Sequence, residues 1–233
     1  MKYRFILLDA DNTLFDFDAC EKNAFFLTME DLSVKADEKM YARYSELNNA
    51  CWRALERGEI SREELKVKRF ADLAKECDIP CRPHDVNEKY ISHLAKQSIL
   101  YPGAVELVKE LSQSHEVYII TNGLATVQEG RFQNCPLCPH LKNIFISEKI
   151  GAQKPEKLFF ERVASMIEDF DPQKAIVIGD SLTSDIQGAN NMGIDCIWYN
   201  PKAHPKGSQK IDYEVSDYDQ IIAILKQGDI HEN

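Results

Sequence analysis

The chain alternates between short apolar runs and segments whose apolar residues recur at helical spacing. The first run, residues 5–8, is wholly apolar and predicts a buried strand. From residue 102 onward strands and helices alternate, which implies a parallel sheet with helices on both faces. The pattern predicts strands at 116–121, 144–147, 175–179, 196–199 and, more weakly, 213–215, and helices at about 124–134, 155–167, 183–192 and 218–226. The predicted fold class is therefore a three-layer α/β core.

Residues 16–98 follow a different pattern. They are rich in Glu, Lys, Ala and Leu, their apolar residues recur at helical spacing, and they contain no convincing strand. Gly58 and Pro80 punctuate this segment, which predicts about four helices. We therefore expect an all-helical insertion, 16–98, between two parts of the α/β core, 1–15 and 99–233. The last residues, 228–233, are expected to fray.

Composition and charge restrict the function. The 233 residues are 44% hydrophobic and 28% charged, as in an ordinary soluble globular protein. The net charge of −10 argues against binding to a nucleic-acid polymer or an anionic membrane, because both require a basic surface. No apolar run has the length of a membrane span, and the first one meets Asp9 and Asp11, so we expect no signal peptide. With seven cysteines expected as reduced thiols, the sequence predicts a cytoplasmic enzyme.

Two acidic residues directly follow the first predicted strand. Residues 9–13 read Asp-Ala-Asp-Asn-Thr, so the strand delivers Asp9 and Asp11 to its carboxyl end, where open α/β sheets bind ligands. Two like charges this close are costly unless a cation neutralises them, and Mg²⁺ prefers such oxygen ligands. The pair predicts a metal-assisted phosphate site in which one carboxylate attacks and the other shuttles a proton. The alternative is a turn that only caps a helix.

Polar residues at other predicted element ends fit the same site. The tripeptide Thr-Asn-Gly at 121–123 offers a hydroxyl and backbone N–H groups to an anion, although Asn-Gly is also a common turn. Lys154 lies at a predicted helix start, where it can reach a phosphate or simply be exposed. Asp180 ends another strand and Asp185 follows in the next helix, with an interaction with the helix dipole as the alternative. Four features occur in this chain order and favour one shared site: the Asp9 and Asp11 pair, Thr121, Lys154, and Asp180 with Asp185.

A separate cluster contains Cys135, Cys138 and His140. Two thiols and a histidine at this spacing can hold zinc or form a redox pair. Because no second pair at suitable spacing lies nearby in the sequence, we expect a structural role for these residues.

In chain order, these residues resemble the four signature motifs of the haloacid dehalogenase superfamily of phosphohydrolases. The similarity covers nearly the whole chain, and the matching residues are Asp9–Thr13, Thr121, Lys154, and Asp180 with Asp185. The opening Asp-Ala-Asp-Asn-Thr-Leu-Phe, the stretch from Trp52 to Phe70, and the Ile-Thr-Asn-Gly and Lys-Pro segments further resemble YjjG-type pyrimidine 5′-nucleotidases. One departure is residues 135–140, where the family usually has a plain polar turn.

The resemblance implies a Rossmann-like core, a helical insertion that acts as a cap, and a reaction through an aspartyl-phosphate. It implies that Asp9 is the nucleophile and Asp11 the general acid and base. The implied cofactor is Mg²⁺, held by Asp9, the backbone carbonyl of Asp11, Asp180 and Asp185. The implied phosphate-binding groups are Thr121, the amides near Asn122 and Gly123, and Lys154.

The resemblance also implies a substrate, a small phosphorylated metabolite of the pyrimidine nucleoside 5′-monophosphate class. Phe17, Trp52 and Arg69 are candidates for contacting the base or ribose; alternatively the aromatics pack the helical bundle and Arg69 pairs with an acid. A sugar-phosphate phosphatase or a phosphomutase remains an alternative function. A haloacid dehalogenase is disfavoured because halide displacement needs no acid at position 11. A phospho-accepting receiver domain is disfavoured because receivers are shorter and lack both the cap and the Asp-x-Asp pair.

Overall fold

The computed structural model describes residues 2–77 and 79–227 and contains a six-stranded sheet. Its strands are β1 (Phe5–Leu8), β2 (Glu116–Thr121), β3 (Asn143–Ile146), β4 (Ala175–Gly179), β5 (Asp195–Tyr199) and β6 (Tyr213–Val215). Their order is β3-β2-β1-β4-β5-β6, and every neighbouring pair is parallel. Because β1 lies between β2 and β4, the carboxyl ends of these three strands meet at the middle of one sheet edge. The predicted parallel α/β sheet is confirmed.

Ten α-helices surround or extend this sheet in the described part of the chain. They are α1 (Phe17–Asp31), α2 (Glu38–Glu56), α3 (Arg62–Ala74), α4 (Pro83–Leu94), α5 (Ala104–Leu111), α6 (Ala125–Phe132), α7 (Ser147–Ile150), α8 (Lys157–Ser165), α9 (Gln187–Met192) and α10 (Tyr218–Gln227). We call α1–α4 the cap helices. These four helices follow β1 with no strand between them.

Both faces of the sheet are covered, because the strand residues alternate between two hydrophobic cores. Ile6 and Leu8 of β1 point to the core formed with α5 and α10, whereas Phe5 and Leu7 point to the core formed with α8 and α9. A strand buried on both faces must be apolar throughout, which explains the uninterrupted run of residues 5–8. The three-layer arrangement follows directly from this pattern.

The cap helices have their own aromatic core. The rings of Phe25, Tyr44, Phe70 and Tyr90 form it, with ring centroids of Tyr44 and Phe70 5.2 Å apart. Val127 of α6 packs against the same core, so the cap helices rest on α6. Polar caps define where the helices begin: Asp16, Asp37 and Ser61 accept hydrogen bonds from the first turns of α1, α2 and α3.

Several local boundaries differ from the sequence prediction. The helix predicted at 155–167 begins only at Lys157, because Glu156 has an extended ψ of 130°. The helix predicted at 183–192 opens with a π-helical turn, Leu182–Ile186. Ser147, predicted at the end of a strand, begins the short helix α7 instead. The expected fraying of 228–233 lies outside the described residues. None of the described helices is both long and apolar enough to cross a membrane.

Candidate active site

Asp9 lies in the tight turn that follows β1 and is 6% exposed. The amides of Leu14 and Phe15 both donate to the carbonyl of Ala10, which folds the chain back after the strand. Asn12 accommodates this turn with a left-handed φ of 61°, a conformation that asparagine tolerates better than most residues. The turn brings the Thr13 hydroxyl to Asp9, where it donates to Oδ2 over 2.9 Å. The carboxylate is therefore held in one orientation.

Lys154 joins two of the predicted acids. Its Nζ donates to Asp9 Oδ1 over 2.6 Å, to Asp185 Oδ1 over 2.6 Å and to the Ile120 carbonyl over 2.9 Å. The three bonds satisfy all the donors of the ammonium group. Burial lowers the pKa of Lys154, but the carboxylates of Asp185 and Asp9 outweigh this effect, so its pKa is raised. Lys154 is thus a buried, fully charged group at the centre of the site.

The Asn122 side chain bonds to the backbone of Lys154, whereas the expected phosphate-binding groups were the backbone amides near Asn122. Its side chain holds the backbone of Lys154 at both ends: Oδ1 accepts from the Lys154 N–H over 2.9 Å, and Nδ2 donates to the Lys154 carbonyl over 2.8 Å. The N–H of Gly123 donates to Thr121 Oγ1 over 3.0 Å. Because that oxygen accepts, the Thr121 hydroxyl hydrogen is left to donate to another group.

Three carboxylates meet beside Lys154. One oxygen each of Asp9, Asp180 and Asp185 lies within 4.8 Å of the other two. Burial, and then the neighbouring carboxylates, raise the pKa of Asp180 well above its ordinary range, and burial is also the main cause of the raised pKa of Asp9. Gly179 permits this approach, since a Cβ there would collide with the Asp185 carboxylate. Three buried oxygen donors with one lysine fit a hard divalent cation such as Mg²⁺.

Asp11 is not part of this carboxylate cluster. Its carboxylate accepts from Gln128 Nε2 over 2.7 Å and from Arg131 Nη1. Arg131 is itself fixed, because its Nε donates to the Gln97 carbonyl over 2.9 Å and its side chain is completely buried. The resemblance implied the backbone carbonyl of Asp11, rather than its carboxylate, as a metal ligand.

Gln128 and Arg131 were not among the residues predicted from the sequence. Both lie on α6, three positions apart, which places them on one helix face. Polar residues at that spacing normally mark a solvent-exposed face, and nothing in the sequence indicates that α6 turns this face toward Asp11. The spacing is the only signal, and it is not specific.

A cavity of about 250 Å³ separates these residues from the cap helices. On the core side it is lined by the predicted residues Asp9, Asp11, Thr121, Asn122, Gly123, Lys154, Asp180 and Asp185. On the cap side, α2 contributes Ser45, Asn49, Trp52 and Glu56, which share one helix face. The structure therefore brings every predicted catalytic, metal and phosphate residue to one cavity.

The three predicted substrate residues also line the cavity, but Arg69 has strong contacts of its own. Its guanidinium donates to Asn48 Oδ1 over 3.0 Å and to Asn87 Oδ1 over 2.7 Å, so its direct partners are amides rather than an acid. It also lies 4.7 Å from the ring centroid of Tyr90. Arg69 is thus part of the buried cap structure, whereas Phe17 and Trp52 are partly buried at the edge of the aromatic core.

Glu21 completes the polar wall of the cap side. Asn48 Nδ2 donates to Glu21 Oε1 over 2.5 Å, which connects this carboxyl to Arg69 through one asparagine. Burial raises the pKa of Glu21 to about 7, although the charge of Arg69 works in the opposite direction. Glu21 and Asn48 gave no motif-like signal in the sequence.

The Cys135, Cys138 and His140 cluster does not converge. Cys138 Sγ donates to the nearby Phe132 carbonyl over 3.0 Å, and Cys135 is buried as a free thiol. In the part of the chain that the structure describes, the groups of three ligand atoms within 4.8 Å of one another do not include this cluster.

A buried aspartate at the end of β1, a bridging lysine and a helical cap define a hydrolase site of the haloacid dehalogenase type. The chain belongs to the haloacid dehalogenase-like hydrolase family, which it matches over residues 3–193. The resemblance inferred from the motifs is therefore confirmed.

Individual relatives cover almost the whole chain. The pyrimidine 5′-nucleotidase PynA of Streptococcus pneumoniae is 37% identical over 230 residues, covering 98% of this chain and 97% of PynA. The pyrimidine 5′-nucleotidase YjjG of Escherichia coli is 30% identical, covering 89% of this chain and 91% of YjjG. The structure is similar to that of the HAD-hydrolase YfnB from Bacillus subtilis bound to magnesium, with a TM-score of 0.92, 36% identity, and coverage of 97% and 99% of the two chains.

Proposed function

We propose that this protein is a Mg²⁺-dependent phosphomonoesterase that acts through an aspartyl-phosphate on Asp9 and hydrolyses pyrimidine nucleoside 5′-monophosphates. The observation that carries the proposal is the fixed Asp9 carboxylate, bonded to Thr13 and Lys154 and adjacent to Asp180 and Asp185. A nucleophile held in one orientation has already lost the conformational freedom that attack would otherwise cost.

The chemistry at Asp9 and Asp11 proceeds in two steps. In the first, an Asp9 oxygen forms a bond to phosphorus while the bond from phosphorus to the ester oxygen breaks, and Asp11 gives its proton to the leaving oxygen. In the second, Asp11 takes a proton from water, whose oxygen attacks the same phosphorus and releases Asp9 and inorganic phosphate. Gln128 and Arg131 orient Asp11 at the mouth of the cavity for both proton transfers.

The remaining polar groups stabilise the negative charge that develops on the phosphoryl oxygens in the transition state. Lys154 contributes its positive charge, since its three N–H groups already donate to Asp9, Asp185 and the Ile120 carbonyl. The Thr121 hydroxyl and the backbone amides near Asn122 and Gly123 are fixed before the substrate binds, which is the arrangement that stabilises a transition state best. Asp9, Asp180, Asp185 and the Asp11 carbonyl would hold Mg²⁺, which supplies positive charge to the phosphoryl group when it is bound. The magnesium in the structure of YfnB supports this assignment.

The cap helices are the proposed selectors of the leaving group. In this proposal residues 16–98 close over a core made of 1–15 and 99–233, and Phe17 and Trp52 contact the nucleoside. The named activities of PynA and YjjG support the choice of pyrimidine nucleotides, and a cavity of about 250 Å³ supports a small base. Because all seven cysteines are free thiols, we also propose that the enzyme works in the cytoplasm.

Phosphate release from a substrate panel tests the proposal. The panel contains uridine, thymidine, adenosine and guanosine monophosphates and hexose phosphates, each with Mg²⁺ and with a chelator. We expect kcat/KM to favour pyrimidines over purines by about ten- to a few hundred-fold, the range a closed pocket usually provides. A preference for hexose phosphates would assign the protein to the sugar-phosphatase or mutase branch, and full activity in chelator would exclude the metal.

Asp9→Asn tests the nucleophile. The variant should lose several orders of magnitude in kcat, because an amide oxygen cannot replace the attacking carboxylate. Asp219→Asn, which changes an exposed aspartate on α10, is the matched control and should retain full activity. If Asp9→Asn keeps more than about a hundredth of the activity, the assignment of the nucleophile is wrong.

A further inference from the structure

Arg62, the first residue of α3, reaches from the cap helices into the core but takes no part in the mechanism above. Its Nη1 donates to the Asn122 carbonyl over 3.1 Å, and its Nη2 donates to Ser147 Oγ over 2.7 Å and to Gln153 Oε1 over 3.1 Å. These acceptors belong to three separate segments of the core, after β2, after β3 and before Lys154. One cap side chain therefore fixes three core segments relative to each other.

Two of these acceptors lie directly beside the lysine that holds Asp9. Asn122 holds the Lys154 backbone through its side chain, and Gln153 precedes Lys154 in the sequence. The contacts therefore form a continuous path from Arg62 through Asn122 to Lys154 and on to the Asp9 carboxylate. A displacement of Arg62 changes the first contact in that path.

Helix α2 makes a second contact with the core segment that precedes Lys154. Gln153 Nε2 donates to the carbonyl of Leu55 in α2 over 3.1 Å, so Gln153 is bonded to both cap helices that flank this turn. The start of α3 is itself rigid, since Ser61 and Glu64 form a capping box around the first turn. Arg62 is thus presented to the core from a fixed position.

The charge and shape of arginine suit this function. A guanidinium is a planar group with five donors, so it can bond acceptors that lie in different directions, whereas a lysine ammonium is a compact point charge. Arg62 is half-buried and does not line the cavity that contains Asp9 and Lys154. It lines a separate cavity with Ser147 and Gln153, so its position provides no contact with a substrate bound at Asp9. Its effect must pass through other residues.

We propose that Arg62 is a positioning residue that links the docking of the cap helices to the placement of Lys154 against Asp9. Asn122 and Lys154 reach their bonded arrangement only while the guanidinium holds the Asn122 carbonyl and Gln153. The consequence for catalysis rests on the proposed function of Asp9 and Lys154, but the consequence for the Asn122–Lys154 contact does not.

Amide hydrogen exchange, followed by NMR, tests the structural half of the proposal. The Lys154 N–H donates to Asn122 Oδ1, so its exchange rate reports directly on this contact. Arg62→Ala should raise that rate by about tenfold or more, and Arg62→Lys should raise it less. Arg57→Ala is the matched control, because Arg57 lies in the same turn, is exposed and, among the described residues, forms its ion pair with Glu59. Unchanged exchange at Lys154 in Arg62→Ala overturns the proposal.

Kinetics test the catalytic half. With uridine monophosphate and p-nitrophenyl phosphate, Arg62→Ala should lower kcat by about ten- to a hundredfold on both substrates, with little change in KM, because a displaced group near the reacting atoms can cost about a hundredfold. A loss confined to the nucleotide would mean that Arg62 contacts the leaving group, which overturns a positioning role. If the wild-type enzyme releases phosphate from neither ester, the proposed function fails, and hydrogen exchange still decides the role of Arg62.

A double variant separates an effect through Asn122 from an independent one. In an Asn122→Ala background the Lys154 backbone is already released, so adding Arg62→Ala should change kcat and the Lys154 exchange rate by less than about twofold. Residues that act through one contact show this non-additivity, whereas independent residues have additive effects. Fully additive losses would contradict the proposed path.

Discussion

Replacing Lys154 by methionine should destabilise the protein strongly in the absence of a divalent cation. The substitution keeps a long, unbranched side chain but removes the ammonium group that bonds Asp9, Asp185 and the Ile120 carbonyl. Because both carboxylates are buried, water cannot replace the lost charge. Removing one partner of a buried ion pair typically costs about 3–5 kcal/mol. In a chain of this size that corresponds to a fall in Tm of roughly 6–20 °C.

Thermal unfolding of Lys154→Met with and without Mg²⁺ measures the effect. In chelator the variant should show the full loss, whereas saturating Mg²⁺ should return about 3 kcal/mol at a hundredfold excess over its Kd. The matched control is Lys157→Met, which removes an exposed lysine three residues away that pairs with Glu161 over 3.3 Å. This control should change the free energy of unfolding by no more than about 0.5 kcal/mol.

Two results would refute the reasoning. A loss below about 1 kcal/mol for Lys154→Met in chelator would mean that the buried carboxylates do not depend on the lysine charge. An unchanged Tm of Lys154→Met on addition of Mg²⁺ would mean that the three carboxylates of the variant do not bind the cation in the folded state.

The remaining predictions concern Asp11 and Glu21. Asp11→Asn should lower kcat/KM for a nucleotide by about 10²–10⁴ and by clearly less for an aryl phosphate, because a good leaving group needs less protonation; equal losses would argue against a general acid. For Glu21, burial raises the folded-state pKa from 4.5 to about 7, so stability is highest below the unfolded pKa and falls as the pH rises to about 7. Relative to wild type, Glu21→Gln should therefore gain about 3 kcal/mol in free energy of unfolding between pH 4 and pH 8, measured by denaturant titration. A pH-independent difference would contradict this.

The parts of the site that could be predicted from sequence are those attached to strand ends. Asp9 and Asp180 each follow a run of apolar residues, and the carboxyl ends of adjacent parallel strands must meet at one sheet edge. That argument needs only local pattern and the general geometry of α/β sheets. It therefore placed the acids correctly without any knowledge of the helix packing.

The parts that could not be predicted depend on how helices pack against each other over long sequence distances. Arg62 contacts Asn122, 60 positions away, and Arg131 contacts Asp11, 120 positions away. In the sequence both arginines are ordinary polar residues of amphipathic helices, and their burial is decided only when the cap helices and α6 come together. The contacts of the Asn122 side chain could not be predicted for a similar reason, because an Asn-Gly turn gives no sign that this side chain will hold Lys154.

The charges that line the cavity connect the metal with the proposed substrate. Among the described residues that line it, seven are acidic and only two, Lys154 and Arg69, are basic. On the core side this excess of negative charge would repel a phosphate dianion, so the substrate needs a divalent cation there to bind well. On the cap side Asp18, Glu21 and Glu56 remain, and Glu56 is fixed by the Thr183 hydroxyl over 3.3 Å. Carboxyl groups in that position accept hydrogen bonds from ribose hydroxyls and base N–H groups but repel a second phosphate or carboxylate. We therefore expect the same lining to favour a nucleoside over a sugar phosphate as the leaving group.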